Sequence, residues 1–150
     1  MKAGEICMRN VVTIEGNASI AEAARKMKDY HVGSLVIVDE ADGMGSPLGI
    51  ITDRDIVVGA VAQDVEFPLS LKVRDVVIED LVLAREEEEV WGIIRKMRAL
   101  GIRRLPVVNE RDELVGILSM DDILTLLSEE FADISRIFFN ERKKEIQTRG

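Results

Sequence analysis

The chain contains two copies of one sequence pattern, and this internal repeat constrains the fold more strongly than any other feature. Residues 12–38 align with residues 82–108 at a constant shift of 70. Residues 49–56 then align with 116–123 at a shift of 67, because the first copy has three extra residues in between. A copy of about 60 residues buries only about 60% of its unfolded surface. We therefore expect the two copies to pack together across a pseudo-twofold axis, which creates two equivalent clefts.

Each copy has the periodicity of a β-α-β-β-α unit. Residues 19–29 and 88–99 carry apolar side chains at the spacing of an amphipathic helix, and Ser19 is expected near the start of the first. The last helix of each copy should begin at Asp53 and Met120. The predicted strands are 11–14, 35–38 and 49–51, then 81–84, 105–108 and 116–118, with hairpin connections at 39–47 and 109–113. The predicted fold class is α/β (α+β), with two repeats and a C-terminal helix.

Charge and residue counts exclude several classes of function. Acidic residues outnumber basic ones by 28 to 20, so the net charge of −8 argues against nucleic acid and anionic membranes as general partners. Cys7 is the single cysteine and His31 the single histidine, which excludes an internal disulfide and any metal site of several thiolates or imidazoles. No apolar run approaches the roughly 18 residues of a membrane span, and no signal-peptide core follows Met1. The expected location is the cytoplasm.

A glycine, two apolar residues, a hydroxyl residue and an aspartate three positions later recur at 49–55 and 116–122. The simplest interpretation is that Thr52 with Asp55, and Ser119 with Asp122, are capping boxes that start helices. The functional interpretation uses the same geometry, because a helix start favours anions and an ionised aspartate can accept two hydroxyl donors from a ribose. Both interpretations can hold at once.

The segment Ile102-Arg103-Arg104 precedes the second apolar strand of the second copy. Arginine side chains match phosphate oxygens in a bidentate manner, and this pair forms a local cationic spot in an acidic chain. Surface arginines are also often inert, so a solvated pair is an equal alternative. The matching residues of the first copy, Val32, Gly33 and Ser34, leave room for a flat group.

These residues together resemble the tandem cystathionine-β-synthase (CBS) domain pair, or Bateman module, over about residues 6–127. The most specific part is the duplicated motif, joined to the run 105–108. The resemblance implies regulation by an adenosine-containing ligand such as AMP, ADP or ATP, or alternatively S-adenosylmethionine or an NAD-type molecule. It implies no catalysis and no required cofactor, and the regulated protein is unknown.

The resemblance also implies roles for individual residues. Asp55 and Asp122 match the carboxylates that hold ribose hydroxyls, and Thr52 and Ser119 match contacts to phosphate or ribose at the same helix starts. The positions that match backbone beside the adenine are Cys7, Val12, Val77 and Val82. Val32, Gly33 and Ser34 would line the cleft with Asp122, whereas Ile102, Arg103 and Arg104 would line the cleft with Asp55.

By this resemblance we expect repeat 1 at 1–68, repeat 2 at 69–127 and a helical tail at 128–150. The tail holds three of the six aromatic residues of the chain. Its apolar face should either pack on its own module or contribute to a homodimer, an assembly that members of the family often form.

Two other functions compete with nucleotide sensing. A ligand-free structural or interaction module would use both hydroxyl–aspartate pairs as caps only. An enzyme is a weaker alternative, because a chain with one histidine and no evident metal set offers no catalytic constellation.

Overall fold

Each repeat forms its own three-stranded sheet, in which the first strand runs parallel to the second and the second antiparallel to the third. The computed structural model describes residues 1–39, 45–77 and 80–149. The hairpin connection predicted at 39–47 lies largely outside the described residues. The two-repeat fold with a C-terminal helix confirms the predicted fold class.

The elements follow the same order in both repeats. The first repeat contains α1 (Ala3–Ile6), β1 (Thr13–Glu15), α2 (Ile20–Tyr30), β2 (Ser34–Val38), β3 (Pro47–Thr52) and α3 (Asp53–Ile56), which continues as a π-helical segment over Val57–Val61. A 3-10 turn, Pro68–Ser70, leads into the second repeat. The second repeat contains α4 (Val73–Val76), β4 (Ala84–Arg85), α5 (Val90–Leu100), β5 (Arg104–Val108), β6 (Leu114–Ser119) and α6 (Met120–Arg149).

The two amphipathic helices bury equivalent faces. Helix α2 buries Ile20, Ala23 and Met27 against the first sheet. The side chain of Ser19 accepts a hydrogen bond from the Glu22 N–H at 3.1 Å, which makes Ser19 the N-cap. Helix α5 buries the matching positions and begins after Glu89, which makes no side-chain capping bond.

The N-terminal segment of each repeat packs on the core of the other repeat. Ala3 is fully buried in the second core, and its N–H donates to the Glu88 carbonyl at 2.8 Å. Val73 is fully buried in the first core, and its N–H donates to the Ala18 carbonyl at 2.9 Å. The division of the repeats at 68/69 stays a prediction, but each hydrophobic core contains residues from both sides of it.

Helix α6 runs for 30 residues through position 127 without interruption. Ile123 is its buried residue, and every residue from 128 to 149 is exposed. The expected tail helix is therefore present as a continuation of the second repeat, and it does not pack on its own module. No helix in the described part of the chain is long and apolar enough to cross a membrane.

Gly116 and Gly49 occupy the same motif position but differ in the space around them, which gives a test of the exchanged packing. A Cβ on Gly116 would lie 2.5 Å from Cys7 Sγ and 2.9 Å from the Met8 carbonyl oxygen. A Cβ on Gly49 would make only 3.8 Å contacts. We expect Gly116→Ala to lower the free energy of unfolding by about 1–3 kcal/mol, because it displaces the N-terminal segment. Gly49→Ala should change it by less than about 1 kcal/mol. Urea denaturation compares the two, and equal losses would contradict the packing of residues 3–8 on the second repeat.

Candidate functional site

The first hydroxyl–aspartate pair forms a complete capping box. Thr52 Oγ1 accepts a hydrogen bond from the Asp55 N–H at 3.1 Å, and Asp55 Oδ2 accepts one from the Thr52 N–H at 2.9 Å. Asp55 is half-buried, and its other oxygen, Oδ1, accepts no hydrogen bond from the residues that the structure describes. The cap therefore orients the carboxylate and leaves one of its oxygens able to accept a further donor.

The second pair uses a different hydrogen-bond pattern. Ser119 Oγ accepts from the Asp122 N–H at 3.1 Å and donates to Asp122 Oδ2 at 2.7 Å. Asp122 Oδ1 makes no hydrogen bond within the described part of the chain. The hydroxyl cap is thus confirmed in both repeats, whereas the reciprocal backbone bond of a capping box is found only in the first among the described residues. Neither cap occupies the oxygen that the ligand interpretation requires.

One cleft joins the two repeats at β3. The lining of its cavity comes from both repeats: Gly49, Ile50, Asp80, Leu81, Val82, Ile102 and Arg104. Because side chains alternate along a strand, Ile50 and Thr52 point to the same face of β3, whereas Ile51 points into the core. The strand that carries the first motif therefore faces Ile102 and Arg104 of the other repeat, but Thr52 and Asp55 are not among the described residues that line the cavity. The water-accessible space within this cleft is about 50 Å³.

The two arginines have different surroundings. Arg104 is half-buried and lines the cavity. The Arg103 side chain is 70% exposed and forms an ion pair with Asp121, with Nη2 lying 3.3 Å from Oδ1. An ion pair this exposed contributes little to stability, so Arg103 can be released from it at small cost. The structure thus brings Arg104, but not Arg103, into the cavity.

By the repeat alignment, the other predicted cleft would lie on β6. Cys7 lies beside Gly116, and the backbone of Met8 exchanges two 2.9 Å hydrogen bonds with Ile117. Val77 lies in the corresponding place beside Gly49, 3.8 Å from the Cβ that glycine lacks. Cys7 and Val77 are thus positioned against the strands that carry the second and first motifs, respectively.

The small residues of the first copy contact their own repeat. The Gly33 carbonyl accepts a hydrogen bond from the Asp53 N–H at 3.0 Å, and Ser34 pairs with Thr52 across the sheet. By the repeat alignment, the counterparts of the cavity lining are Asn10, Val11, Val12, Val32, Ser34, Gly116 and Ile117. The placement of Val32, Gly33 and Ser34 beside Asp122 stays a prediction.

Burial sets the protonation of the cysteine. Partial burial raises the pKa of the Cys7 thiol, and the charge of Arg9 opposes this increase. Cys7 is therefore a protonated thiol at neutral pH, as expected for a small apolar side chain against a strand.

Sequence reasoning missed four residues of the cavity: Gly49, Ile50, Asp80 and Leu81. Ile50 could have been identified, because it lies two positions before Thr52 on the same strand face. Asp80 could not, because no periodicity marks the segment before β4. Among the described residues, no group of three or more His, Cys, Asp or Glu side chains is arranged to hold a metal ion.

The comparison with known proteins matches each repeat separately. The family model for the CBS domain matches residues 3–60 and 73–129. An uncharacterized protein of Methanopyrus kandleri is 38% identical over 124 residues, which are 83% of this chain and 61% of that protein. This chain therefore spans about three fifths of that relative's length.

Two solved structures share the fold and more than a quarter of their sequence with the chain. The CBS domain pair of protein MJ0100, in complex with 5′-methylthioadenosine and S-adenosyl-L-methionine, has a TM-score of 0.74 and 29% identity, covering 87% of this chain and 98% of that one. CBS domain protein PAE2072 from Pyrobaculum aerophilum, complexed with AMP, has a TM-score of 0.72 and 28% identity, covering 81% of this chain and 89% of that one. The two family matches and the shared fold identify this chain as a member of the CBS domain family, folded as a CBS domain pair.

Proposed function

We propose that the protein is a regulatory sensor that binds an adenosine nucleotide of the AMP, ADP or ATP type between its two CBS repeats. The observation that carries this proposal is the cavity that joins β3, the strand of the Thr52–Asp55 motif, to Ile102 and Arg104 of the other repeat. Two structural neighbours support the ligand class, since one was solved with AMP and the other with two adenosine-containing molecules.

The chemistry of the cleft fits a nucleotide at each of its parts. Asp55 Oδ1 can accept a ribose hydroxyl, and the cap on Oδ2 reduces the entropy lost when the carboxylate is held in place. Ile50, Val82 and Ile102 supply apolar side chains for the faces of an adenine ring. Arg104 supplies a guanidinium for a phosphate, with Arg103 next to it in the chain.

The two clefts differ in charge. The first has Arg104 in its lining, whereas the matching position of the second is Ser34. We therefore assign the more tightly bound phosphorylated ligand to the cleft with Asp55. A second candidate ligand, S-adenosylmethionine or its relative methylthioadenosine, is favoured by the MJ0100 complex and fits a cleft without a phosphate contact.

Ligand entry provides a physical basis for signalling. Because the cleft leaves only about 50 Å³ of water-accessible space, we propose that a bound nucleotide moves β3 away from the residues around Val82 and Ile102. Because the N-terminal segments are exchanged between the cores, such a movement changes the relative position of the two repeats. We propose that an unidentified regulated protein, or the assembly of the chain itself, responds to this change, and that the chain performs no catalysis.

Removing each carboxylate in turn distinguishes sensing from capping alone. We expect Asp55→Ala and Asp122→Ala each to weaken binding at one site in calorimetric titrations with AMP, ATP, S-adenosylmethionine and NADH. The loss of a hydrogen bond to a charged group predicts roughly 10- to 100-fold weaker binding at the altered cleft. If both residues serve only as caps, each variant loses about 0.5–2 kcal/mol of stability while wild-type titrations are flat at millimolar ligand.

Arg104 and Arg103 provide a test variant and its matched control for the phosphate contact. Arg104→Ala should weaken AMP binding about 10-fold or more and leave adenosine binding nearly unchanged, because the guanidinium contacts the phosphate only. Arg103→Ala should have a smaller effect, since its side chain lies outside the cavity and is paired with Asp121. Isothermal titration measures both, and an equal loss of adenosine and AMP affinity in Arg104→Ala would contradict a phosphate role.

The single cysteine reports occupancy of the second cleft. Since burial raises the pKa of Cys7, the thiolate fraction and the rate of iodoacetamide alkylation should keep increasing beyond pH 9. A saturating ligand in the second cleft should slow alkylation, because Cys7 lies against the strand that carries Ser119. Asp122→Ala should remove this protection, and Asp55→Ala should retain it. Protection that disappears only in Asp55→Ala would assign Cys7 to the other cleft.

A further inference from the structure

The outer part of α6 presents a long apolar face with no cover. All 22 residues from 128 to 149 are exposed, and a helix of this length extends about 33 Å. Its large apolar side chains are 55–72% exposed: Phe131, Ile134, Ile137, Phe138, Phe139 and Ile146. Helices in water gain most of their stability from packing of such a face, so this helix requires a partner.

The spacing of the face is that of a helix-pairing seam. Residues 124, 127, 131, 134 and 138 are Leu, Leu, Phe, Ile and Phe, separated by alternating steps of three and four. This alternation is the heptad pattern through which one helix packs along another. The face begins on the module itself, where Leu124 is 53% exposed, so it continues from the body of the protein onto the projecting helix.

The charges along the helix divide into two halves of opposite sign. Residues 128–135 contain three acidic residues and no basic one, for a charge of −3. Residues 136–149 contain five basic residues and two acidic ones, for a charge of +3. The segment is neutral as a whole, which gives no attraction to an anionic lipid surface. Two copies aligned antiparallel would place each acidic half beside a basic half, whereas two parallel copies would place like charges together.

We infer that this face of α6 binds the same face of a second copy of the chain in an antiparallel pair. With the twofold axis near Arg136, Ile134 of one copy packs against Phe138 of the other, since their positions are symmetric about that residue. The same arrangement sets Glu130 beside Lys144 of the second copy, because both residues flank the apolar seam on the same side. This inference gives the expected homodimer a definite surface and geometry. It does not depend on ligand binding, because it uses no residue of either cleft.

Sedimentation equilibrium of the full chain tests the pairing. We expect a dimer for the wild type, and at least 10-fold weaker dimerisation for Phe138→Glu. The side chain of Phe138 is 70% exposed in the single chain, so this substitution should leave the far-UV circular dichroism and the nucleotide titration unchanged. A wild type that is monomeric at 100 micromolar, or a dimer that Phe138→Glu leaves unaffected, would overturn the inference.

Charge reversals test the orientation. Glu130→Lys should weaken the dimer at low salt, Lys144→Glu should weaken it too, and the two changes together should restore it. Parallel helices would give no loss in either single variant, because Glu130 and Lys144 do not face each other there. Glu110→Lys with Arg111→Glu, at exposed positions between β5 and β6, is the control that should have no effect. If Glu130→Lys with Lys144→Glu does not recover the dimer, the antiparallel pair is excluded, whatever the result of the nucleotide titrations.

Discussion

The constraint on which this structure depends is the size of the repeat. A β-α-β-β-α unit of about 60 residues cannot cover both faces of its sheet by itself. The central strands β2 and β5 are largely buried, so each sheet must be covered by residues from outside its own repeat. The chain meets this need by exchange: the segment around Ala3 completes the second core, and the segment around Val73 completes the first. Neither repeat is therefore a complete folding unit, and the clefts between them result from the exchange.

The position of each motif at a helix start explains why the capping residues are also the proposed binding residues. Each motif strand ends where a helix begins, and the hydroxyl residue must satisfy the first N–H groups of that helix. The cap consumes one oxygen of Asp55 and one of Asp122 and leaves the other unbonded within the described chain. The two caps still differ, since Asp55 Oδ2 accepts a hydrogen bond from the Thr52 N–H, whereas Asp122 Oδ2 accepts one from the Ser119 hydroxyl. Two near-identical motifs can therefore have unequal affinities, a difference that the presence of Arg104 on one side only would increase.

Much of the fold and part of the site could be predicted from local patterns. The helix starts at Asp53 and Met120 and the cap at Ser19 agree with the structure, because caps and amphipathic spacing are local properties. The strands were placed correctly, although β1 and β4 are shorter and later than expected, since their pairing with β2 and β5 depends on long-range register. The sequence predicts the same role for Arg103 and Arg104. The structure separates them, because adjacent residues of a strand point to opposite faces.

The sequence by itself determined the duplication, the order of elements and the hydroxyl–aspartate motifs. Repeats, periodicity and caps depend on residues that are close together in the chain. Only the tertiary structure decided which repeat receives each N-terminal segment and which side chains share the cavity at β3. It also decided that α6 continues into solvent past residue 127, leaving its apolar face uncovered. These outcomes depend on contacts between segments far apart in the chain, such as β3 with β5 and Ala3 with the second core. No local pattern encodes such contacts, because they stabilise the chain only when both segments are folded and packed together.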